Sequence, residues 1–403
     1  MSPVDRLFVL DPLPVGKGGH HQHFIDGIRR DAGRWCRGIH FLVARKREGG
    51  PPPEPPFHEV FRHYLYKQLS TDARTGPAND FETGSEAYRR DLAALTAMAP
   101  GPGDLILLPS ASIRTLGGLA KWRIDVASPT PVAALFHHAI PFHLTFEPGS
   151  VGHAIARTTS GLLRTGEECG PVLLGSTNAV LAERLGAAME RPVRVLPLPH
   201  WYDLDAPSAE PVVLPSTSDR APVGFVGSLR REKGGERIPG IVGAGAGLPL
   251  RWIAQAHAPD PGLLEPLRAL EQAGRVELIA RELSEGEFLR LMHDLALIVL
   301  PYERVRYHAR VSGPFAFAAA FGRPCVVPDG TWMASQIETG KAAGIAYRGD
   351  APAAIAAAIG TALERLPELT RQAEKLAVRW RKGESGMALL EAIMLWATRD
   401  TDR

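Results

Sequence analysis

The segment LALIVLPYERVRYHARVSGPFAFAAAFGRPCVVP, residues 295–328, decides the fold of this chain. Its first part, Leu295–Leu300, is a short apolar run rich in branched side chains, which predicts a buried parallel strand. Ser312 stands where a helix N-cap belongs, and the small and aromatic residues of Phe315–Phe321 predict a buried helix. Cys325–Val327 then predicts the next strand. The segment is therefore a strand–loop–helix–strand unit of a parallel α/β sheet.

The loop of this unit is basic and leaves the carboxyl end of its strand. In open α/β sheets that edge binds ligands, and helix N–H groups beside arginines form a site for phosphate. The residues concerned are Arg304, Arg306, His308, Arg310, Ser312 and Gly313. The same pattern also fits an ordinary unit with a solvated loop, so this segment alone leaves both interpretations open.

Composition restricts the class of protein. The 403 residues are 45% hydrophobic and 22% charged, which is typical of a globular chain with two domains. A net charge of +2 gives no indication of a nucleic-acid partner. The three cysteines are far apart and form neither a zinc spacing nor a disulfide framework, which favours a reducing compartment. No signal peptide or membrane-spanning window is recognisable, so the sequence predicts a cytoplasmic protein.

Two series of alternating strands and helices are separated by a segment rich in Pro, Ser, Ala and Asp. The predicted divisions are an N-terminal domain at 1–203, a linker at 204–222, a second domain at 223–383 and a C-terminal helix at 384–403. We expect this helix to pack back toward the first domain. Two such series predict two doubly wound, Rossmann-like α/β domains.

A glycine-rich turn follows the first predicted strand, Leu7–Leu10. Gly18 and Gly19, beside Lys17, could let the backbone approach a phosphate or a sugar, although a tight strand–helix turn gives the same pattern. The turn is not GxGxxG, and neither is residues 227–235, so a nicotinamide-dependent oxidoreductase is disfavoured. Nearby histidines have no further ligand at a suitable spacing, and we predict no metal and no cofactor.

His137 and His138 leave the carboxyl end of the predicted strand Val132–Phe136. A neutral imidazole at this edge can bond a sugar hydroxyl or act as a base. A structural histidine that caps the strand is the alternative interpretation. For this pair we favour a functional role.

Four segments together resemble the GT-B glycosyltransferases, especially glycosyltransferase family 4. The segment GFVGSLRREKGGE, residues 224–236, has the strand–Gly–x–Leu–x–x–x–Lys–Gly pattern of the second domain. VRVLPLPHWYD, residues 193–203, resembles the family's exit from the first domain, and residues 297–327 resemble its block ending in G-x-P-V-V. The fourth segment, His137-His138, lies where the family often has a histidine after a first-domain strand, and Gly18 and Gly19 lie in its first-strand loop. The resemblance covers most of the chain and is loose between residues 51 and 123.

The resemblance implies two domains facing across a cleft and a nucleotide-diphosphate sugar held mainly by the second. It implies catalytic roles for His138, Lys233 and Arg230. The implied donor-binding residues are Gly18, Gly19, Gly227, Ser228, Arg231, Ile279, Arg281, Arg310, Ser312 and Gly313. Fixed cations and helix N–H groups would stabilise the diphosphate as negative charge develops on it, without a metal.

This chain departs from the family pattern at the donor site. Ser228 replaces the usual arginine, for which Arg230 or Arg231 could substitute. The two glutamates that hold the donor in the family align with Ala309 and Phe317. Either the basic loop Arg304–Arg310 has taken over, with an unusual or acidic donor, or donor binding has been lost.

Two functions therefore follow from the sequence. The first is transfer of a sugar from a nucleotide-diphosphate sugar to a glycan or lipid-linked acceptor, with retention as the resemblance implies; His138 as base would instead permit inversion. The alternative is a non-catalytic GT-B-like protein that binds a glycan or a partner subunit. A basic and aromatic patch at Lys121–Arg123 would allow peripheral contact with the inner face of a membrane.

Overall fold

The computed structural model describes residues 4–12, 19–45, 56–63, 76–137, 146–166, 168–201, 220–257 and 261–400. The chain divides into two compact units. The first comprises residues 1–201 together with 384–403, and the second comprises residues 202–383. Most of the predicted linker lies outside the described residues, and its last two positions already belong to a strand.

Within the described residues, the first unit contains a seven-stranded parallel sheet in the order β3-β2-β1-β4-β5-β6-β7. Its strands are β1 (Val4–Asp11), β2 (Cys36–Ala44), β3 (Phe57–Phe61), β4 (Leu105–Leu108), β5 (Val132–Phe136), β6 (Val172–Ser176) and β7 (Arg194–Val195). The central strands β4 and β5 are buried over their whole length, as expected for a sheet covered by helices on both faces.

The helices of the first unit connect these strands, and one returns from the end of the chain. They are α1 (Gly19–Asp31), α2 (Gly76–Asp91), α3 (Ala93–Ala97), α4 (Ile113–Val126), α5 (Val151–Thr165), α6 (Ala179–Met189) and the C-terminal α15 (Gly386–Asp400). Leu389, Ile393 and Met394 of α15 are buried in the same core as β1 and β2. The C-terminal helix is therefore part of the first unit.

In the described part of the second unit, six parallel strands form a sheet in the order β10-β9-β8-β11-β12-β13. The strands are β8 (Ala221–Phe225), β9 (Leu250–Gln255), β10 (Glu277–Ile279), β11 (Leu297–Val299), β12 (Cys325–Pro328) and β13 (Gly344–Tyr347). In each sheet the strand order reverses beside the first strand. This confirms the predicted doubly wound α/β class for both units.

The helices of the second unit are α7 (Ile238–Ala244), α8 (Pro261–Gln272), α9 (Glu285–Asp294), α10 (Arg304–Tyr307), α11 (Gly313–Ala320), α12 (Trp332–Glu338), α13 (Pro352–Glu364) and α14 (Leu366–Gly383). The predicted N-cap is confirmed at Ser312, whose hydroxyl accepts a hydrogen bond from the N–H of Phe315 at 3.3 Å. Part of the predicted basic loop is helical, because α10 begins at Arg304.

Four helices, α5, α10, α12 and α14, were not predicted from the sequence. In α14 the buried residues Leu369, Ala373, Ala377 and Trp380 recur at helical spacing, so the periodic signal was present in the sequence. In α5 glycine and β-branched residues weaken the intrinsic preference, and burial of one face stabilises the helix instead.

The predicted membrane-contact patch at Lys121–Arg123 is wrong, because its large side chains are inside the first unit. Trp122 is 3% exposed and its indole N–H donates to the hydroxyl of Thr96 at 2.8 Å. Arg123 is 2% exposed and donates to the carbonyl of Gly170. Across the described residues, each helix is too short or too polar to cross a lipid bilayer.

Candidate functional site

The candidate site lies in the second unit, where β8 and β11 are neighbours and the strand order reverses. Gly227 follows β8 with a φ of +103°, which favours glycine. Its N–H donates to Oε1 of Gln255 at 2.7 Å. A Cβ at Gly227 would lie 3.4 Å from Cγ of Pro314 and 3.6 Å from Nζ of Lys233. The loops after β8 and β11 therefore meet at this glycine.

Lys233 occupies a short 3₁₀ turn after this glycine. Its Nζ lies 3.3 Å from Oγ of Ser228 and 5.8 Å from the ring centroid of Tyr302. The next residue, Gly234, has a φ of +73° and lies against the carbonyl of Pro301, so that a side chain there would collide with it. This close approach fixes the lysine beside the loop that leaves β11.

Burial and positive neighbours lower the pKa of Lys233 to about 8, and the positive neighbours are Arg230 and Arg310. We call Arg230, Lys233 and Arg310 the cation cluster. The guanidinium carbon of Arg310 lies 5.3 Å from the ring centroid of Tyr307, which packs 4.4 Å from the ring of Tyr302. Two aromatic rings thus hold two of the cations in place.

Glu232 is the carboxylate that lies closest to the cation cluster among the described contacts. It is 3.8 Å from Arg230, a distance at which the pair is weak. The carbonyl of Glu232 accepts a hydrogen bond from the N–H of Glu303 at 2.9 Å, which joins the turn after β8 to the loop after β11. Among the described contacts, three cations thus lie near one weakly paired carboxylate, and such a charge distribution favours an anion.

Helix α11 adds backbone donors to the same place. Ser312 is buried and caps the helix, whereas a Cβ at Gly313 would meet no atom within 4 Å. The helix start is therefore open next to the cation cluster, since Pro314 contacts the position of Gly227. A helix N-terminus presents N–H groups and a partial positive charge, which together favour phosphate.

The structure thus brings together six of the residues predicted to bind the donor or act in catalysis: Gly227, Ser228, Arg230, Lys233, Arg310 and Gly313. The side chains of Arg231 and Arg281 have other contacts, with Glu236 at 3.1 Å and Glu287 at 2.5 Å. The carbonyl of Ile279 accepts from the N–H of Ala256 at 3.0 Å. These three residues lie outside the cation cluster.

Gln255, Tyr302 and Tyr307 belong to the site but were missed in the sequence. Gln255 bridges two loops, since its amide also donates to the carbonyl of Arg281 at 3.3 Å. A polar residue at the carboxyl end of an otherwise buried strand was the signal that could have identified it. No comparable pattern marks the two tyrosines.

The basic loop acts only in part as predicted, because Arg304 has a structural role. Its guanidinium contacts Asp329 at 2.6 Å, the carboxylate of Asp350, and the carbonyl of Tyr347 at 3.1 Å. It therefore ties the ends of β12 and β13 together. Arg306 pairs with Glu303 at 3.3 Å, which leaves Arg310 as the member of this loop in the cation cluster.

Phe317 packs edge-to-face against Phe288 of α9, with ring centroids 5.8 Å apart and planes at 86°. Ala309 is partly exposed before α11. Neither side chain can accept a hydrogen bond from a sugar hydroxyl. The two positions that align with the glutamate pair of the resembled family therefore carry no carboxylate in this chain.

The predicted residues of the first unit are described only in part. His138 and Gly18 lie outside the described residues, and Gly19 is the first residue of α1. The ring nitrogens of His137 contact protein groups: one donates to the carbonyl of Pro109 at 2.6 Å and the other lies 3.2 Å from the hydroxyl of Thr177. Because Pro109 follows β4 and Thr177 follows β6, this side chain connects the ends of β4, β5 and β6.

His200 lies near His137 and His23 at the same edge. Burial, with a smaller contribution from those two histidines, lowers its pKa to about 3, so it is neutral at physiological pH. Within the ranges that the structure describes, no group of three or more His, Cys, Asp or Glu side chains is arranged to hold a metal ion.

No protein-family profile matches the chain, and no curated protein sequence is similar to it. Solved structures match over nearly its whole length. Sucrose-phosphate synthase from Thermosynechococcus elongatus has a TM-score of 0.67 at 15% identity, covering 99% of this chain and 100% of that one. The catalytic domain of starch synthase IV from Arabidopsis thaliana, bound to ADP and acarbose, has a TM-score of 0.62 at 14% identity with complete coverage of both chains.

A third match is the UDP-forming α,α-trehalose-phosphate synthase from Burkholderia vietnamiensis, with a TM-score of 0.63 at 14% identity and coverage of 99% and 100%. At such identities the likeness concerns the fold. The narrower resemblance to glycosyltransferase family 4 rests on the sequence motifs. The chain therefore has the GT-B fold, with two parallel-sheet α/β units like those of these glycosyltransferases.

Proposed function

We propose that this protein is a glycosyltransferase that binds a nucleotide-diphosphate sugar at the cation cluster and transfers the sugar to a glycan or lipid-linked acceptor. The observation that carries the proposal is the position of Lys233, half-buried between Ser228 and Tyr302 beside two arginines. Partial removal of an ammonium group from water beside like charges costs free energy, which a bound anion would offset. The topological switch point of a GT-B second domain is a suitable place for a diphosphate.

The chemistry follows from charge development. In the donor the diphosphate is esterified at both ends, and breaking the bond to the sugar places a further negative charge on it. Lys233, Arg310 and the N–H groups of α11 are fixed before the reaction, so they stabilise this charge without reorganising. Because these groups supply positive charge at the leaving group, we propose transfer without a metal. Retention is proposed from the resemblance alone.

A thermal-shift screen of the full chain against UDP, GDP, ADP, CDP and their sugars tests this proposal. At about a hundredfold over its dissociation constant, a ligand that binds only the folded state should raise the free energy of unfolding by roughly 2.7 kcal/mol. We expect one base to give this shift. Arg310→Gln should reduce it, while Arg268→Gln, which removes an exposed arginine of α8, should not. A flat response to every nucleotide would contradict the proposal.

A specific observation favours a second candidate, a non-catalytic protein that binds a glycan or a partner subunit. Ala309 and Phe317 offer no carboxylate to the donor. In this case nucleotides would leave the melting temperature unchanged, and Lys233→Ala would leave the binding of the glycan or partner unchanged. Turnover of a nucleotide sugar by the purified protein would exclude it.

Nucleotide-sugar affinity is expected to fall as the pH rises above about 8. In the free protein the lowered pKa means that Lys233 loses its proton near pH 8, and the diphosphate binds the protonated form. Affinity is therefore nearly complete at about pH 7, is halved near pH 8 and is lower by about tenfold at pH 9. Calorimetry between pH 7 and 9 with a nucleotide sugar measures this, and Lys233→Arg should abolish the dependence. Equal dependence in both proteins would contradict the assignment.

A further inference from the structure

We propose that the nucleotide bound by the second unit is a 2′-deoxynucleoside diphosphate, selected because its sugar lies against the side chains of Phe288 and Phe317. We call these two side chains the phenyl pair. The inference rests on the proposed function and adds the class of nucleotide to it. It depends on where the nucleoside must lie once the diphosphate occupies the cation cluster, and on what the phenyl pair can offer to a hydroxyl group.

A chain of contacts leads from the diphosphate position to the first turn of α9, the helix that carries Phe288. The N–H of Gly227 donates to Gln255 at 2.7 Å, and the amide of Gln255 donates to the carbonyl of Arg281 at 3.3 Å. The guanidinium of Arg281 contacts Glu287 in the first turn of α9 at 2.5 Å. Phe288 is the next residue. These contacts outline the edge of the sheet from β8 to β10 and α9.

On the other side of the cation cluster, toward β12 and β13, contacts within the protein already span the edge of the sheet. Arg304 contacts Asp329 after β12 and donates to the carbonyls of Tyr347 and Gly349 at 3.1 Å each, so protein groups already engage its guanidinium on this side. The nucleoside is joined directly to the diphosphate. We therefore place the nucleoside on the side of β9, β10 and the phenyl pair.

The phenyl pair lies at the helix ends that face this edge. Phe288 is in the first turns of α9 and Phe317 is one turn into α11, and both side chains are half-buried. Their rings pack edge-to-face at 5.8 Å, and because both side chains are only half-buried, part of the pair's surface is accessible to a ligand. A phenyl ring packs well against the carbon atoms of a sugar, but it cannot replace the hydrogen bonds to water that a hydroxyl group loses on binding.

This chemistry discriminates between ribose and deoxyribose. A 2′-hydroxyl against the rings loses hydrogen bonds to water and gains none, whereas the 2′-methylene of deoxyribose loses nothing. An apolar pocket rejects an added hydroxyl only moderately. We expect the deoxynucleotide to bind about tenfold more tightly than the ribonucleotide with the same base, which corresponds to about 1.4 kcal/mol.

Calorimetry of the full chain with matched pairs of nucleotides, namely UDP and dUDP, ADP and dADP, GDP and dGDP, and CDP and dCDP, tests the inference. Each pair differs only at the 2′ position. For the base that binds, we expect the deoxy form to bind about tenfold more tightly. Phe317→Gln, which supplies a hydrogen-bond acceptor and donor without charge, should remove or reverse the preference. Phe317→Leu, which stays apolar, should keep it.

The controls separate the possible failures. Val378→Gln changes an exposed residue of α14 in the same unit and should bind like the original protein. Melting temperatures show whether each variant is folded, and Phe317→Leu keeps the test valid should Phe317→Gln unfold. Equal or tighter binding of the ribonucleotide would overturn this inference while the proposed function stands. Failure of all eight nucleotides to bind would overturn the proposed function and this inference with it.

Discussion

Lys233→Met is expected to weaken nucleotide-diphosphate binding by about a hundredfold without unfolding the protein. The substitution keeps the length and apolar stem of the side chain, so contact with Tyr302 is preserved, but it removes the ammonium group. A hydrogen bond to a charged group contributes about 1.5–3 kcal/mol, which corresponds to roughly tenfold to more than a hundredfold in affinity. Calorimetry with the best nucleotide of the screen measures the change.

The same variant is expected to be at least as stable as the original protein when no ligand is present. The pKa of Lys233 is lowered from 10.5 to about 8 in the folded protein, so the unfolded chain binds more protons between these values. The contribution of this group to stability therefore rises with pH from about 8 to 10.5, and its charge is unfavourable below that window.

Thermal unfolding at pH 7 distinguishes these two effects of Lys233→Met. If Lys233 serves to bind an anion and destabilises the free protein, Lys233→Met should lose nucleotide binding while its melting temperature stays unchanged or rises. Glu271→Gln, an exposed change on α8, is the matched control and should alter neither quantity. A large fall in melting temperature would show that Lys233 is a structural residue instead.

Trp201→Ala is expected to lower the free energy of unfolding by about 3–5 kcal/mol, as other large-to-small core substitutions do. Trp201 is 7% exposed, and its ring fills the space above Gly27 of α1 and Gly386 of α15. It packs edge-to-face on Phe24, with centroids 5.5 Å apart, and its indole N–H donates to Asp31 at 2.8 Å. Its removal leaves a cavity where α15 joins the core.

Hydrogen–deuterium exchange locates this loss. We expect faster exchange in α1 and α15 of Trp201→Ala, with little change in β8 and β11 of the second unit. Trp201→Phe keeps a smaller aromatic ring but not the hydrogen bond to Asp31, and should cost less than Trp201→Ala, about 1–2 kcal/mol. Exchange that accelerates equally in both units would contradict the assignment of Trp201 to the core of the first.

The sequence alone determined the class of fold. Buried runs of branched residues predict parallel strands, and the cap at Ser312 is a local signal that the structure confirms. The positions of Gly227 and Lys233 also follow from a local pattern, since a glycine after a strand and a nearby lysine need no distant contact to be recognised. Helix α14 could have been predicted in the same way from its periodic apolar face.

Only the tertiary structure decided which basic residues act together. Arg304 and Arg310 are six residues apart in one loop, yet one binds Asp329 and Asp350 and the other lies beside Lys233. A charge pattern in the sequence does not show which way each side chain points in the folded protein. Likewise Trp122 looked like a surface residue and is buried, because the helix that carries it packs inside the first unit. Local sequence sets the elements, and packing between distant segments sets the site.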